Sequence, residues 1–156
     1  MRTVPIVFSF DNNLILPACV CISSLMMNAK NDTFYKIYII HSESIELRRK
    51  ELDSLPIYYS NCSIQYVTIG DDFEKSFEIR GITVATYYRL LIPELIPQHD
   101  TILYSDVDVI FRSDLADIYY NTNMNDAYFA GVNTLFSLMK DTKEYHEKQI
   151  KFPLRM

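Results

Sequence analysis

Asp106 and Asp108 stand one residue apart in the stretch TILYSDVDVIF, residues 101–111, inside the most strand-like run of the chain. Carboxylates are depleted in strands because burying a charge is costly, so a pair of them there calls for a chemical reason. In extended backbone, residues i and i+2 face the same side, roughly 7 Å apart. Asp106 and Asp108 would then converge on one object, while Val107 and Val109 turn the other way into the core. Two close carboxylates repel unless a cation or a shared proton lies between them. A hard, oxygen-ligated cation, magnesium or manganese, suits such a pair. Held there, it could bridge two phosphate oxygens and stabilise a departing diphosphate. The plainer alternative is a turn at a strand end, with Asp108 or Asp114 capping the next helix.

The rest of the composition narrows what those acids can serve. Only three glycines occur, Gly70, Gly81 and Gly131, so neither a G-x-G-x-x-G loop nor a P-loop can be built. A nucleotide bound here needs another device to offset its phosphates, most simply a divalent cation. The formal net charge of −5 argues against nucleic acid as the main partner. Cys19, Cys21 and Cys62 lack zinc-type or C-x-x-C spacing and read as buried free thiols of a reducing cytoplasm. The opening MRTVPIVFSFDNN lacks the long apolar segment and cleavage site of a signal peptide, and reads as a first strand. No apolar run reaches membrane-span length. His41 closes a strand and reads as a satisfied polar side chain rather than a ligand.

The elements that must position the acids follow from hydrophobic periodicity. TVPIVFSF, FYKIYIIH, SIQYVTIG and DTILYSDVDVIF read as strands. LILPACVCISSLMMNAK reads as a mostly buried helix with Pro17 in its first turn. SESIELRRKELDSL reads as an amphipathic helix capped by Ser42 or Ser44. TVATYYRLLIPELI reads as a helix broken near Pro93, and SDLADIYY as a short capped helix. DAYFAGVN reads as a further strand, and SLMKDTKEYHEKQIK as a terminal helix. Alternation of strand and helix predicts an α/β fold with a mostly parallel, Rossmann-like sheet, within a single domain over 1–156. In such sheets ligands bind at the carboxyl ends of the strands, near the point where strand order reverses. Asp11–Asn13, His41–Glu43, Gly70–Asp72 and Asp106–Asp108 all fall at strand ends and would line one crevice.

Three segments together carry a family resemblance. ILYSDVDVIFRSDLADIY resembles the D-x-D region of glycosyltransferase family 8, an apolar run followed by Tyr-x-Asp-x-Asp and a short helix. VPIVFSFDNNLILPACVCISSL is similar to that family's opening strand and helix, with its Asp-x-Asn turn. TVATYYRLLIPELIP is similar to the helix before the D-x-D strand. The resemblance implies a GT-A fold, a UDP-hexose donor (glucose or galactose), a manganese or magnesium ion, and transfer with retention of configuration to a glycan or lipid-linked acceptor. Lipopolysaccharide or cell-surface polysaccharide synthesis would be the setting, in the cytoplasm or at the inner face of the membrane. By motif position Asp106 and Asp108 would be the metal ligands. Ser9, Phe10, Asp11 and Asn13 would meet the uracil, the first two through their backbone. Arg89, Asp106 and Val107 would lie against the rest of the donor. The plainer roles are a helix cap for Asp11, a surface or salt-bridge role for Arg89, and helix packing for Tyr87 and Tyr88.

Departures from the family pattern set further expectations. Leu14 stands where many members place an aromatic over the base, and Asn133 and Thr134 stand near an acidic position on the acceptor side. The family's downstream histidine, which supplies a third metal ligand, has no counterpart before Met156, and no catalytic nucleophile is identifiable. The chain therefore reads as the donor-binding portion of a transferase, with uncovered sheet surface expected to favour self-association. Two other readings stand beside this one. One is a fragment that folds and binds UDP weakly without turnover. The other is a haloacid-dehalogenase-like phosphatase, whose D-x-D supplies a nucleophile and a general acid.

Overall fold

The computed structural model describes residues 1–44, 46–70, 84–125 and 127–131. The chain divides into two compact units, Met1–Asn121 and Thr122–Met156. The first unit holds a four-stranded sheet. Its strands are β1 (Arg2–Ser9), β2 (Thr33–Ser42), β3 (Cys62–Ile69) and β4 (Leu103–Tyr104). All pairings are parallel, in the order β3-β2-β1-β4. The α/β, mostly parallel sheet expected from the alternation is therefore present.

Alternation along each strand sorts side chains to two faces. Ile6, Phe8 and Phe10 join Tyr35, Ile37 and Ile39 on one face, packed on Ile22 and Leu25 of α1 (Ile15–Met27) and on Leu52 of α2 (Lys50–Tyr58). Val7, Tyr38 and Ile40 face the other way, onto Tyr88, Ile92 and Ile96. Burial on both faces is why β1 and β2 read as nearly unbroken apolar runs. Each fully buried Ile, Leu or Phe contributes about 1.5–3 kcal/mol. Pro5 lies within β1, opposite Lys36 of β2. Val7 O accepts from Ser105 N, the residue after β4. Backbone groups alternate in direction along a strand, so Pro5 also turns its missing donor toward the β4 side, just outside the Ile6–Val7 pairing.

Several elements differ from the sequence expectation. The helix expected over 42–55 begins only at Lys50. β2 runs on through Ser42, and the Ser42 hydroxyl bonds Ser44 at 2.6 Å rather than capping a helix. The segment before Pro93 is a 3-10 helix over Val84–Leu91, followed by the single turn α3 (Ile92–Leu95). The fourth strand is two residues long, so Asp106 and Asp108 lie beyond it in a bend. Asp114 binds the start of α4 (Ala116–Asn121), accepting from Ala116 N at 2.6 Å. It also accepts from the Tyr35 hydroxyl at 3.0 Å and from Lys30 N.

In the second unit, Ala127 N closes a turn on Met124 O, and Asn125 takes φ 40°, which asparagine tolerates. The strand expected at DAYFAGVN is absent over 127–131; positions 126, 132 and 133 lie outside the described residues, as does the helix expected over SLMKDTKEYHEKQIK. Among the described residues no helix is long and apolar enough to cross a membrane.

Candidate functional site

Strand order places the candidate residues before any side chain is considered. The chain moves outward from β1 to β2 and β3, then returns to pair β4 on the other side of β1. Strand order therefore reverses between β1 and β4, and the carboxyl ends of these two strands flank the crevice that such a reversal opens. Asp11–Asn13 follow β1, and Asp106 and Asp108 follow β4. Asp71 and Asp72, expected at the end of β3, lie outside the described residues.

Beyond β4 the backbone leaves the ladder, and the side chains alternate as they would in a strand for three residues only. Asp106 and Asp108 are exposed, while Val107 between them is buried in the core. Val109 does not follow Val107 inward; it is 38% exposed, because the chain has turned away from the sheet by that point. Arg89, from the 3-10 helix, brings its Nη2 to 3.9 Å from Asp106 Oδ1. Its Cζ lies 4.8 Å from the centre of the Tyr104 ring. The Tyr104 hydroxyl donates to the same Oδ1 at 3.0 Å. Burial, then the charge of Asp106, push Tyr104 up to about 12, so it remains a donor at neutral pH. Tyr88 is buried against Ile92 and Ile96, the packing role expected for it.

The bend that carries the two acids is held from beneath by α1. Cys21 Sγ lies 3.9 Å from Asp106 O. Ser24 Oγ accepts from Phe111 N at 2.9 Å and donates to Cys21 O at 2.7 Å. Asn28 Nδ2 donates to Phe111 O at 3.2 Å. Burial, only partly offset by a bond to the Val109 backbone, pushes the Cys21 thiol up to about 11. Cys21 and Cys62 are thus the buried free thiols expected, and Cys19 is half-buried. Ser24→Ala should destabilise the protein by about 1 kcal/mol, since it strips a partly buried amide of its acceptor. A thermal melt checks this, and an unchanged melting temperature would show that water replaces the hydroxyl there.

Asp11 acts as a cap. Its Oδ1 accepts from Asn13 N at 2.8 Å, and its carbonyl accepts from Leu14 N. Asn13 is exposed, with its amide 3.4 Å from Asp11 Oδ2. Ser9 is half-buried at the strand end, and the Phe10 side chain is in the core, so only the Phe10 backbone faces the crevice edge. Asn12, given no role of its own by the sequence reading, clamps the loop after β2. It accepts from Arg48 N at 2.9 Å and donates to Glu46 O at 3.0 Å. Beside this clamp a cavity of about 780 Å³ lies at the ends of β2 and β3, lined by His41, Glu46, Arg48 and Thr68 among others. His41 is satisfied, as expected. It bonds the Ser42 carbonyl and receives Arg49 Nη2 at 3.1 Å, and burial holds it below the usual histidine range.

Tyr104 is the residue that sequence reasoning passed over. Its signal was its place in Tyr-x-Asp-x-Asp; the sequence placed Asn12 at the crevice only as part of the Asp11–Asn13 turn, and nothing in it pointed to the clamp with Arg48. Two exposed carboxylates suit a hard divalent cation, but among the described residues no group of three His, Cys, Asp or Glu side chains comes together to hold one.

The sequence profile described as glycosyl transferase family 8 matches residues 5–154. The chain belongs to this family. A Haemophilus influenzae relative, whose own assignment as a glycosyltransferase is provisional, is 25% identical over 151 residues, covering 96% of this chain and 44% of the relative. The galactosyltransferase LgtC, solved with donor and acceptor sugar analogues, superposes with a TM-score of 0.74 at 25% identity, covering 96% of this chain and 52% of LgtC. The bifunctional glycosyltransferase WbbM superposes at 0.73 with 22% identity, over 97% of this chain and 29% of its own, a likeness of fold. This family 8 chain thus has a GT-A sheet and spans about half the length of the relatives it matches, or less. Membership in a transferase family also sets aside the phosphatase reading of the D-x-D.

Proposed function

We propose that this chain is the donor-binding part of a metal-dependent, retaining hexosyltransferase. It takes glucose or galactose from a UDP-sugar and supplies it to a glycan acceptor of the cell surface. The observation that carries this reading is the exposed pair Asp106 and Asp108, beside Arg89, at the reversal of strand order. The Asp11–Asn13 turn would receive the uracil through polar groups, with the Ser9 and Phe10 backbone beside it. Arg89 would bind a sugar hydroxyl or a phosphate oxygen, and its fixed positive charge would stabilise the diphosphate as it leaves. Val107 would hold the bend down through the core and offer its backbone to the donor. Asp106 and Asp108 would hold manganese or magnesium, which when bound neutralises charge developing on the departing UDP. Diphosphate oxygens and water would complete its coordination.

The test is UDP release from UDP-glucose and UDP-galactose with manganese, and again after EDTA. Manganese-dependent release from one donor is expected. A second reading is a folded portion that binds UDP without turnover. Binding without release would support it. Phosphate release from substrates lacking a sugar nucleotide would overturn both.

A further inference from the structure

We propose that Tyr104 is a positioning residue for two functional groups at once. Its hydroxyl sets the orientation of the Asp106 carboxylate for a divalent cation, and its ring carries the Arg89 guanidinium toward the donor. The inference rests on the donor-site reading above and adds to it the residue that aims both groups.

Tyr104 is the last residue of β4 in register with β1, opposite Val7, and Ser105 N bonds Val7 O at 3.2 Å. It is therefore the last point before the acids whose position the sheet itself dictates. Its ring is half-buried against the cluster of Val7, Tyr38 and Ile92. Asp106 lies two residues further on, past the ladder and exposed. An exposed carboxylate two bonds out from the backbone has free rotation unless something holds it. The Tyr104 hydroxyl does so at Oδ1, at 3.0 Å. Arg89 Nη2 approaches the same oxygen at 3.9 Å. Both contacts fall on one oxygen of the carboxylate, which leaves Oδ2 for a cation. A hydrogen bond to an ionised group is about twice as strong as one between neutral groups, enough to fix a rotamer.

The ring does a second job. A guanidinium over an aromatic face is attracted by its quadrupole, by about 0.5–1 kcal/mol at an exposed site. Arg89 Cζ stands 4.8 Å from the Tyr104 ring centre. The ring is thereby one of the contacts that hold this long side chain in place. One residue seated on the sheet thus transmits sheet geometry to a metal ligand and to a donor ligand. Partners that orient a metal-ligating group typically cost 10- to 100-fold in metal affinity when removed.

Two variants separate the two jobs. Tyr104→Phe deletes the hydroxyl and keeps the ring. Tyr104→Leu deletes both. Manganese affinity is read by electron paramagnetic resonance of the free ion, and UDP affinity by calorimetry without metal. For Tyr104→Phe, manganese affinity should fall about tenfold while metal-free UDP affinity stays unchanged. For Tyr104→Leu, manganese affinity should fall as far, and metal-free UDP affinity should also fall about threefold. A role in stability alone would not split the two affinities in this way. Asp106→Asn is the reference. If it abolishes manganese binding while Tyr104→Phe leaves it unchanged, Tyr104 has no positioning role and the donor-site reading stands. If the unaltered protein binds no manganese, the donor-site reading fails, and this inference with it.

Discussion

Asp108→Ala should lower manganese-dependent UDP release roughly 100- to 1,000-fold. The magnitude follows from two conversions. A cation at a departing phosphate contributes several kcal/mol of charge stabilisation in the transition state, and each 1.36 kcal/mol is about tenfold in rate. Among the described residues no third His, Cys, Asp or Glu side chain joins the two acids of the bend, so removing one leaves a single ligand, too few to hold a cation at ordinary concentrations. Asp108 is exposed, so the change leaves the fold alone, and the melting temperature should stay within about 2 °C. If the chain binds donor without turning it over, the same substitution should abolish the manganese-dependent part of UDP affinity in calorimetry. Full activity or full metal-dependent affinity in the variant would remove Asp108 from the site.

Asp114→Ala should destabilise the protein by about 3 kcal/mol, a fall of roughly 10 °C in melting temperature. Asp114 is 9% exposed and gathers three elements. It accepts from Lys30 N before β2, from the Tyr35 hydroxyl within β2 and from Ala116 N at the start of α4. The Tyr35 hydroxyl in turn accepts from Leu115 N at 2.8 Å. Alanine would leave these donors buried and unsatisfied. Asp114→Asn keeps one acceptor and should cost about half as much.

The same residue sets part of the acid stability. Burial alone would raise its pKa, but bonds from the Lys30 and Ala116 backbone, then Thr33 and Tyr35, bring it below the usual aspartate value. A depressed folded pKa means the unfolded chain takes up the proton first. The contribution is therefore complete above about pH 4 and is lost as pH falls through the depressed folded value. The stability gap between the native protein and Asp114→Asn should be constant near neutrality and narrow below about pH 4. Denaturant melts from pH 3 to 7 check this, and a gap that stays constant to pH 3 would show that Asp114 titrates normally.

The central sheet was legible because β1 and β2 are buried on both faces and must be apolar nearly throughout, while β3, at the sheet edge, still alternates enough apolar residues to read as a strand. Two elements were misjudged for the same physical reason: polar residues at the strand ends interrupt the pattern. The serines after FYKIYIIH look like helix caps, yet they bond each other while the chain crosses the ends of the strands. DTILYSDVDVIF looks like one long strand, yet pairing stops at Tyr104, because charged groups beyond it gain more from solvent than from a ladder. The exposure of the two acids could be read, since the out–in–out alternation of Asp106, Val107 and Asp108 persists into the bend. The hydroxyl and ring of Tyr104 could not, because a tyrosine in an apolar run looks like packing until its partners are in place.

Pro5 takes on a different meaning when the order of synthesis is considered. A growing chain that has completed β3 can already pair β1, β2 and β3, whereas Leu103–Tyr104 has yet to leave the ribosome. Until then one side of β1 is an open template on which another nascent chain could add a strand, the first step of aggregation. Among the described residues β4 pairs with Ile6 and Val7, and the Tyr120 hydroxyl then bonds Thr3 O further along the same side. Pro5 removes one donor from that open side, next to the covered pair, and costs the finished sheet nothing, since β2 bonds to the other side of the strand. The short β4 leaves two acids exposed beyond its end, and the proline guards the edge of β1 until the rest of the chain buries it.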